Sequence, residues 1–252
     1  MNQPTAHETG PDDAPLLVLV HGAPDRRNAF RRSQALLPQF RTLTYDRRGY
    51  GDSATLAPAT ALADHADDLL NILDGRKAVA VGHSFGGNIA LHAATLKPEL
   101  FAAVGIYETS MCWLPGWPTD HVAEVRRMAE TADPRAFGEG MARRLIGQAA
   151  WDRLDDEGRE LRRLEGKAFA LNMGFLLSQP YDVRALTAPF RHGLGGTSEG
   201  AHVVGARLLA ELTGIDPTIL DGVSHLAHIQ APDKWAHFVQ GVANLAWGCC
   251  GA

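Results

Sequence analysis

One hexapeptide constrains this chain more than any other segment: Gly82-His83-Ser84-Phe85-Gly86-Gly87. It lies between an apolar run at 78–81 and a helix-favouring stretch at 88–96. The pattern G-x-S-x-G in a strand–turn–helix setting describes a sharp turn that holds a serine in a strained backbone conformation. Side chains larger than hydrogen on either side would collide with the neighbouring strand and helix. Such a turn lifts the Ser84 hydroxyl out at the carboxyl end of the strand, and the following helix directs its amide dipoles at the same spot. The plainer reading is a glycine turn without chemistry. The strand before and the helix after favour Ser84 as a nucleophile.

The rest of the chain supplies a matching frame. Leu16–Val20 is a continuous β-favouring run without polar alternation, as expected of a strand covered on both faces. Arg41–Tyr45, 78–81, 102–107 and Thr218–Leu220 read the same way, and helical stretches fall at 29–37, 60–73, 88–96 and 203–213. Strands alternating with helices predict an α/β fold with a mostly parallel, doubly wound sheet. The alternation lapses from 111 to 182, where segments near 121–131, 137–146 and 150–175 read as helices. Residues 1–110 and 183–252 are therefore expected to form one core, with 111–182 a helical cap carried on it.

Three further segments stand out, the second of them, 45–53, specific to the fold and not chemical. His21-Gly22-Ala23-Pro24 follows the first strand, where a loop can turn the Ala23 N–H toward an oxyanion, with the Phe85 N–H as second donor. His21 itself reads as a loop-holding residue. Tyr45 to Ser53 contains a tight turn at Gly49 and Gly51, with Asp46 and Arg47 expected to form a local charged network. Gly222-Val223-Ser224-His225 follows the last strand, and a histidine there can return to the serine as general base. His228 is the other candidate base, though a pocket-lining or surface role suits it better. His225, His228 and His237 raise a metal site, but no acid stands near them at ligand spacing and no H-E-x-x-H or cysteine pair occurs. No metal or other cofactor is expected.

These motifs, in this order, resemble the α/β-hydrolase family over nearly the whole chain. The resemblance implies a nucleophile, acid and histidine in that chain order, which Ser84 and His225 obey. It also implies an acid on the loop beyond the cap, where this chain has Ser198 in place of the usual aspartate. Some family members take the acid from the end of the strand after the nucleophile helix, and Glu108 stands there. A carboxylate on that strand end lies beside the turn and gains a methylene of reach. Glu108 is favoured over the adjacent Glu199, with Asp182 and Asp221 as further alternatives. With only 15 residues before the first clear strand, the opening hairpin of the family should be missing or truncated. Epoxide hydrolases and haloalkane dehalogenases of this fold use a carboxylate at the turn, which Ser84 replaces.

The leading expectation is a serine hydrolase that cleaves an ester, lactone, thioester or amide through an acyl-enzyme. A cofactor-free lyase or C–C bond hydrolase on the same residues, or a non-catalytic ligand-binding protein, are the alternatives. Met111, Trp113, Trp117 and His83 are expected to line a pocket for a small, largely apolar substrate. A net charge of −5 without blocks of like charge argues against nucleic acid and anionic membrane as partners. No apolar run is long enough to span a bilayer, and the polar segment 1–10 does not read as a signal peptide. Three cysteines make no disulfide framework, which suits a cytoplasmic protein, monomeric or homodimeric.

Overall fold

The apolar runs become strands of one sheet in the computed structural model, which describes residues 3–248. The strands are β1 (Ala6–Thr9), β2 (Leu16–Val20), β3 (Arg41–Tyr45), β4 (Ala78–His83), β5 (Phe101–Tyr107), β6 (Phe190–Gly195) and β7 (Thr218–Leu220). Their order is β1-β3-β2-β4-β5-β6-β7, and every pair is parallel except β1 with β3. Two of them carry no β signal in the sequence. β1 is a partly exposed edge of four polar or small residues that pairs antiparallel with β3. β6 contains Arg191, His192 and two glycines, and tertiary pairing with β5 and β7 overrides its poor propensity.

Ten helices surround the sheet among the described residues: α1 (Arg31–Gln34), α2 (Leu62–Leu73), α3 (Phe85–Leu96), α4 (Thr119–Ala129), α5 (Pro134–Ile146), α6 (Gln148–Asp152), α7 (Asp156–Ser178), α8 (Ala201–Thr213), α9 (Ala227–Gln230) and α10 (Pro232–Trp247). The continuous apolar strands follow from burial on both faces. In β2, Val18 and Val20 enter the core beneath α2 and α3, while Leu17 and Leu19 enter the core beneath α1 and α10. Side chains two apart share a face, so a strand with helices on both sides has no polar positions to spare.

The chain runs from β2 outward to β3, then crosses to β4 on the other side of β2. That reversal places the carboxyl ends of β2 and β4 side by side, the usual location of a ligand crevice in open α/β sheets. Helices α4 to α7 are inserted between β5 and β6 and overhang this crevice.

The 23-residue helix α7 is fixed to the core by polar as well as apolar contacts. Asn172, 1% exposed, accepts from Arg47 Nη1 (2.7 Å) and the Tyr50 hydroxyl (2.9 Å), and its amide nitrogen meets His65 Nε2 at 3.0 Å. Glu165, also buried, pairs with Arg26 at 2.7 Å and accepts the Gly51 N–H at 2.8 Å. The expected Asp46–Arg47 network takes a different form. Asp46 accepts the Arg27 and Asp52 N–H groups, while Arg47 turns inward to the carbonyls of His21 and Gly22.

Candidate active site

Ser84 caps the start of α3 with φ 52° and ψ −123°, a left-handed conformation rare for a residue with a side chain. The surroundings impose it: a Cβ at Gly86 would drive into the Val20 carbonyl, and one at Gly82 into the Gly86 carbonyl. The turn is pinned by the Ser84 N–H donating to the Tyr107 carbonyl (2.8 Å) and the Gly87 N–H to the Ser84 carbonyl (2.9 Å). Ser84 thereby faces a cavity of about 530 Å³ between the sheet and the inserted helices. Ala23 lines the same cavity. Among the described residues, neither the Ala23 N–H nor the Phe85 N–H has an intramolecular acceptor. Phe85 is the first residue of α3, and the first N–H groups of a helix have no partner within it.

The His21 loop is held as its sequence suggests. His21 Nδ1 donates to the Gly22 carbonyl (2.8 Å), and its Nε2 accepts the Arg47 N–H (3.0 Å), which sets the tautomer. Complete burial, reinforced by the Arg47 charge, pushes this imidazole down to about 3, so it stays neutral.

Glu108 lies immediately after β5 with φ 46°, a second strained position. Its side chain is fully buried and its Oε2 lies 3.0 Å from His225 Nδ1. Oε1 accepts the Gly195 N–H at 2.7 Å and the Ser198 hydroxyl. Burial alone would raise this carboxyl, but the bonds from His225, Ser198 and Gly195 and the neighbouring His202 hold it below the usual glutamate range. Ser198, at the position where the family resemblance implies an acid, thus supports the carboxylate supplied by the neighbouring strand. Glu199 lines the cavity without contacting His225, Asp182 pairs with Arg184 at the surface, and Asp221 is exposed.

His225 is positioned by its loop. Tyr107 donates its hydroxyl to the Ser224 carbonyl (3.0 Å), and His83 Nε2 donates to the His225 carbonyl (2.8 Å). With Nδ1 directed at Glu108, the ring leaves Nε2 for the cavity that Ser84 shares. Among the described residues no hydrogen bond joins Ser84 to His225; such contacts often close only when substrate is bound.

The expected pocket residues divide. His83 lines the cavity, whereas Met111, Trp113 and Trp117 do not. Met111 and Trp117 are buried core residues, and Trp113 packs edge-on to Tyr181 with ring centroids 5.2 Å apart. The chain leaving β5 turns at 111–117 toward α8, where Trp117 lies against Gly205. The apolar wall comes instead from α4, α5 and α7: Val125, Met128, Met141, Phe169, Met173 and Leu176.

Two features escape a linear reading. His228 is neither pocket-lining nor on the surface; it is 0% exposed with Nε2 2.8 Å from Asp25 Oδ2. The absence of acids at ligand spacing also holds only along the chain. Folding brings Asp25 beside His83 and His228, and Glu108 beside His202 and His225. His202 stacks on His225 with ring centroids 4.4 Å apart and an interplanar angle of 17°. Burial, with His225 adjacent, pushes the His202 imidazole down to about 4. At the start of an amphipathic helix nothing in the sequence distinguishes it.

The alpha/beta hydrolase family profile matches residues 17–238. The chain belongs to that family. Its match to an epoxide hydrolase of Caballeronia sordidicola is 34% identical and covers 39% of this chain and 32% of that protein. The match to lipase LipV of Mycobacterium tuberculosis is 29% identical and covers 58% and 55%. The chain thus spans about a quarter to a half of the length of the curated relatives it matches. Solved structures extend the likeness of fold to almost the entire chain. A carboxylesterase from the thaumarchaeon Nitrososphaera gargenis superposes with a TM-score of 0.73 at 21% identity, covering 97% of this chain and 95% of that one. The enol-lactonase of Burkholderia xenovorans gives 0.70 at 19% identity, covering 96% of each.

Proposed function

We propose that the protein is a serine hydrolase that cleaves an ester, lactone, thioester or amide of a small, largely apolar substrate through an acyl-enzyme. The observation that carries the reading is the convergence of Ser84, His225 and Ala23 on one cavity, with buried Glu108 on the far side of the His225 ring and the Ala23 and Phe85 N–H groups without acceptors. A free serine hydroxyl is a weak nucleophile near neutral pH and needs an adjacent base. In this reading His225 Nε2 takes the Ser84 proton as Oγ attacks the carbonyl carbon. The Ala23 and Phe85 N–H groups stabilise the oxygen that becomes negative. His225 then returns the proton to the leaving group, and a water repeats the sequence to release the acid and restore Ser84. Glu108 holds the ring in the tautomer with Nδ1 protonated and stabilises the imidazolium. The apolar wall supports an apolar acyl or alcohol group, and the volume of about 530 Å³ suits a small molecule.

The relatives named as epoxide hydrolases share the fold, but a serine at the turn argues for acyl rather than epoxide chemistry here. A cofactor-free lyase or C–C hydrolase on the same residues is the second reading, since His225 lines the cavity, where its ring can exchange protons directly with substrate. A fluorophosphonate probe with a panel of short esters and lactones separates these. Labelling of Ser84 with turnover, both lost in Ser84→Ala, is the expected result, with a rate loss of about 10³-fold or more. Turnover that persists above a tenth in Ser84→Ala favours the lyase, and labelling without turnover a binding protein.

A further inference from the structure

The Glu108 carboxylate faces two imidazoles, and only one of them has a place in the proposed mechanism. Oε1 is occupied by the Gly195 N–H and the Ser198 hydroxyl, but Oε2 stands 3.0 Å from His225 Nδ1 and 3.6 Å from His202 Nδ1. Each of the three residues offers one ligand atom, and these lie within 4.8 Å of one another. Zinc bound tetrahedrally at about 2.1 Å by nitrogen and oxygen requires donors about 3.4 Å apart, a value that the two carboxylate–imidazole separations bracket. Both histidines line the cavity, which gives an ion a route in, and Glu108 and His202 border a second space of about 10 Å³, room for about one water.

We infer that Glu108, His202 and His225 form an inhibitory site for a zinc-like transition-metal dication. The donor set, two imidazoles and one carboxylate with an open position, suits zinc better than magnesium or calcium. The second histidine–carboxylate group, Asp25 with His83 and His228, is a poorer host. His228 is 0% and His83 2% exposed, their rings pack with centroids 4.0 Å apart, and His228 does not reach the cavity, so an ion has no route to it. The consequence of binding rests on the acyl-enzyme reading above. Metal on His225 Nδ1 takes the lone pair of that nitrogen, so the single proton of the neutral ring moves, by exchange with solvent, from Nδ1 to Nε2. An Nε2 that already carries a proton cannot accept one from Ser84, so the ion stops the reaction without occupying the substrate cavity.

The test uses the full chain with Cys249→Ser and Cys250→Ser, because adjacent thiols would bind zinc themselves. Zinc is titrated in competition with a chromophoric chelator, and ester turnover is followed in parallel. The expected result is one equivalent bound, inhibition reversed by chelator, and binding weakened more than about tenfold in His202→Phe, which keeps the stacked ring but loses the ligand. His202→Asn serves if the phenylalanine variant melts early, and His228→Phe should still bind. Zinc affinity unchanged by either His202 variant, or lost only in His228→Phe, overturns the site. Because the chelator titration needs no turnover, a failed site and a failed hydrolase reading give different results.

Discussion

Of the three described non-glycine residues with positive φ, Asp74 ends a helix, and the other two, Ser84 and Glu108, are the residues whose side chains the candidate site needs aimed. Both hold positive φ without being glycine, a conformation that costs of order 1–3 kcal/mol and persists only where the surroundings impose it. Glu108 repays its strain by meeting the His225 ring while Gly195 and Ser198 satisfy its other oxygen. Glu108→Gln keeps the shape but removes the charge that stabilises an imidazolium. The kcat for an ester should fall by about 10²–10⁴-fold, while Glu199→Gln changes it less than about threefold. Steady-state kinetics on the two variants checks this, and a collapse confined to Glu199→Gln would move the acid to the loop after β6. Glu108 is legible in the sequence as a carboxylate at a strand end, and Ser198 as a departure from the family pattern. His202 is not, because its significance lies entirely in which ring it stacks upon.

Helix α7 supplies much of the apolar wall and is also tied to the core through buried polar side chains. Its Asn172 satisfies a buried arginine, a tyrosine hydroxyl and a histidine at once. Asn172→Ala should cost about 2–4 kcal/mol, since removing one member strands buried polar partners that water cannot reach. Thermal unfolding should show Tm lower by roughly 5–15 °C. A change below about 2 °C would mean that water replaces the amide. The sequence marks the inserted segment as helical through its periodicity, yet it assigns the wrong residues to the pocket. Met111, Trp113 and Trp117 look like pocket aromatics because they follow the strand that ends at the site. The direction in which the chain leaves that strand sends Met111 and Trp117 into the core and packs the half-buried Trp113 against Tyr181 instead.

Across the whole molecule, several histidines are held neutral by burial. The His21 imidazole is depressed to about 3 and that of His202 to about 4, while His65 and His83 are lowered for the same reason. Depressed folded values mean that the unfolded chain binds protons first. The stability they provide is complete above pH 6.5 and is lost as pH falls through the folded values. Asp68, the one carboxylate among the described residues whose shift is upward, is raised by burial and opposes this. Urea unfolding at pH 7.5 and 5.0 should therefore show several kcal/mol lower stability at the acid pH, and equal midpoints would refute neutral burial. None of this coupling is visible residue by residue. Sequence by itself determined the parallel sheet, the serine turn and the histidine after the last strand, because those depend on local propensity, two-residue alternation and backbone space around glycine. Tertiary structure alone decided the edge strand, the true pocket wall, the Asp25–His228 pair and the second imidazole on Glu108. These are meetings between residues far apart along the chain, and only the packing of helices on the sheet brings them within a hydrogen bond of one another.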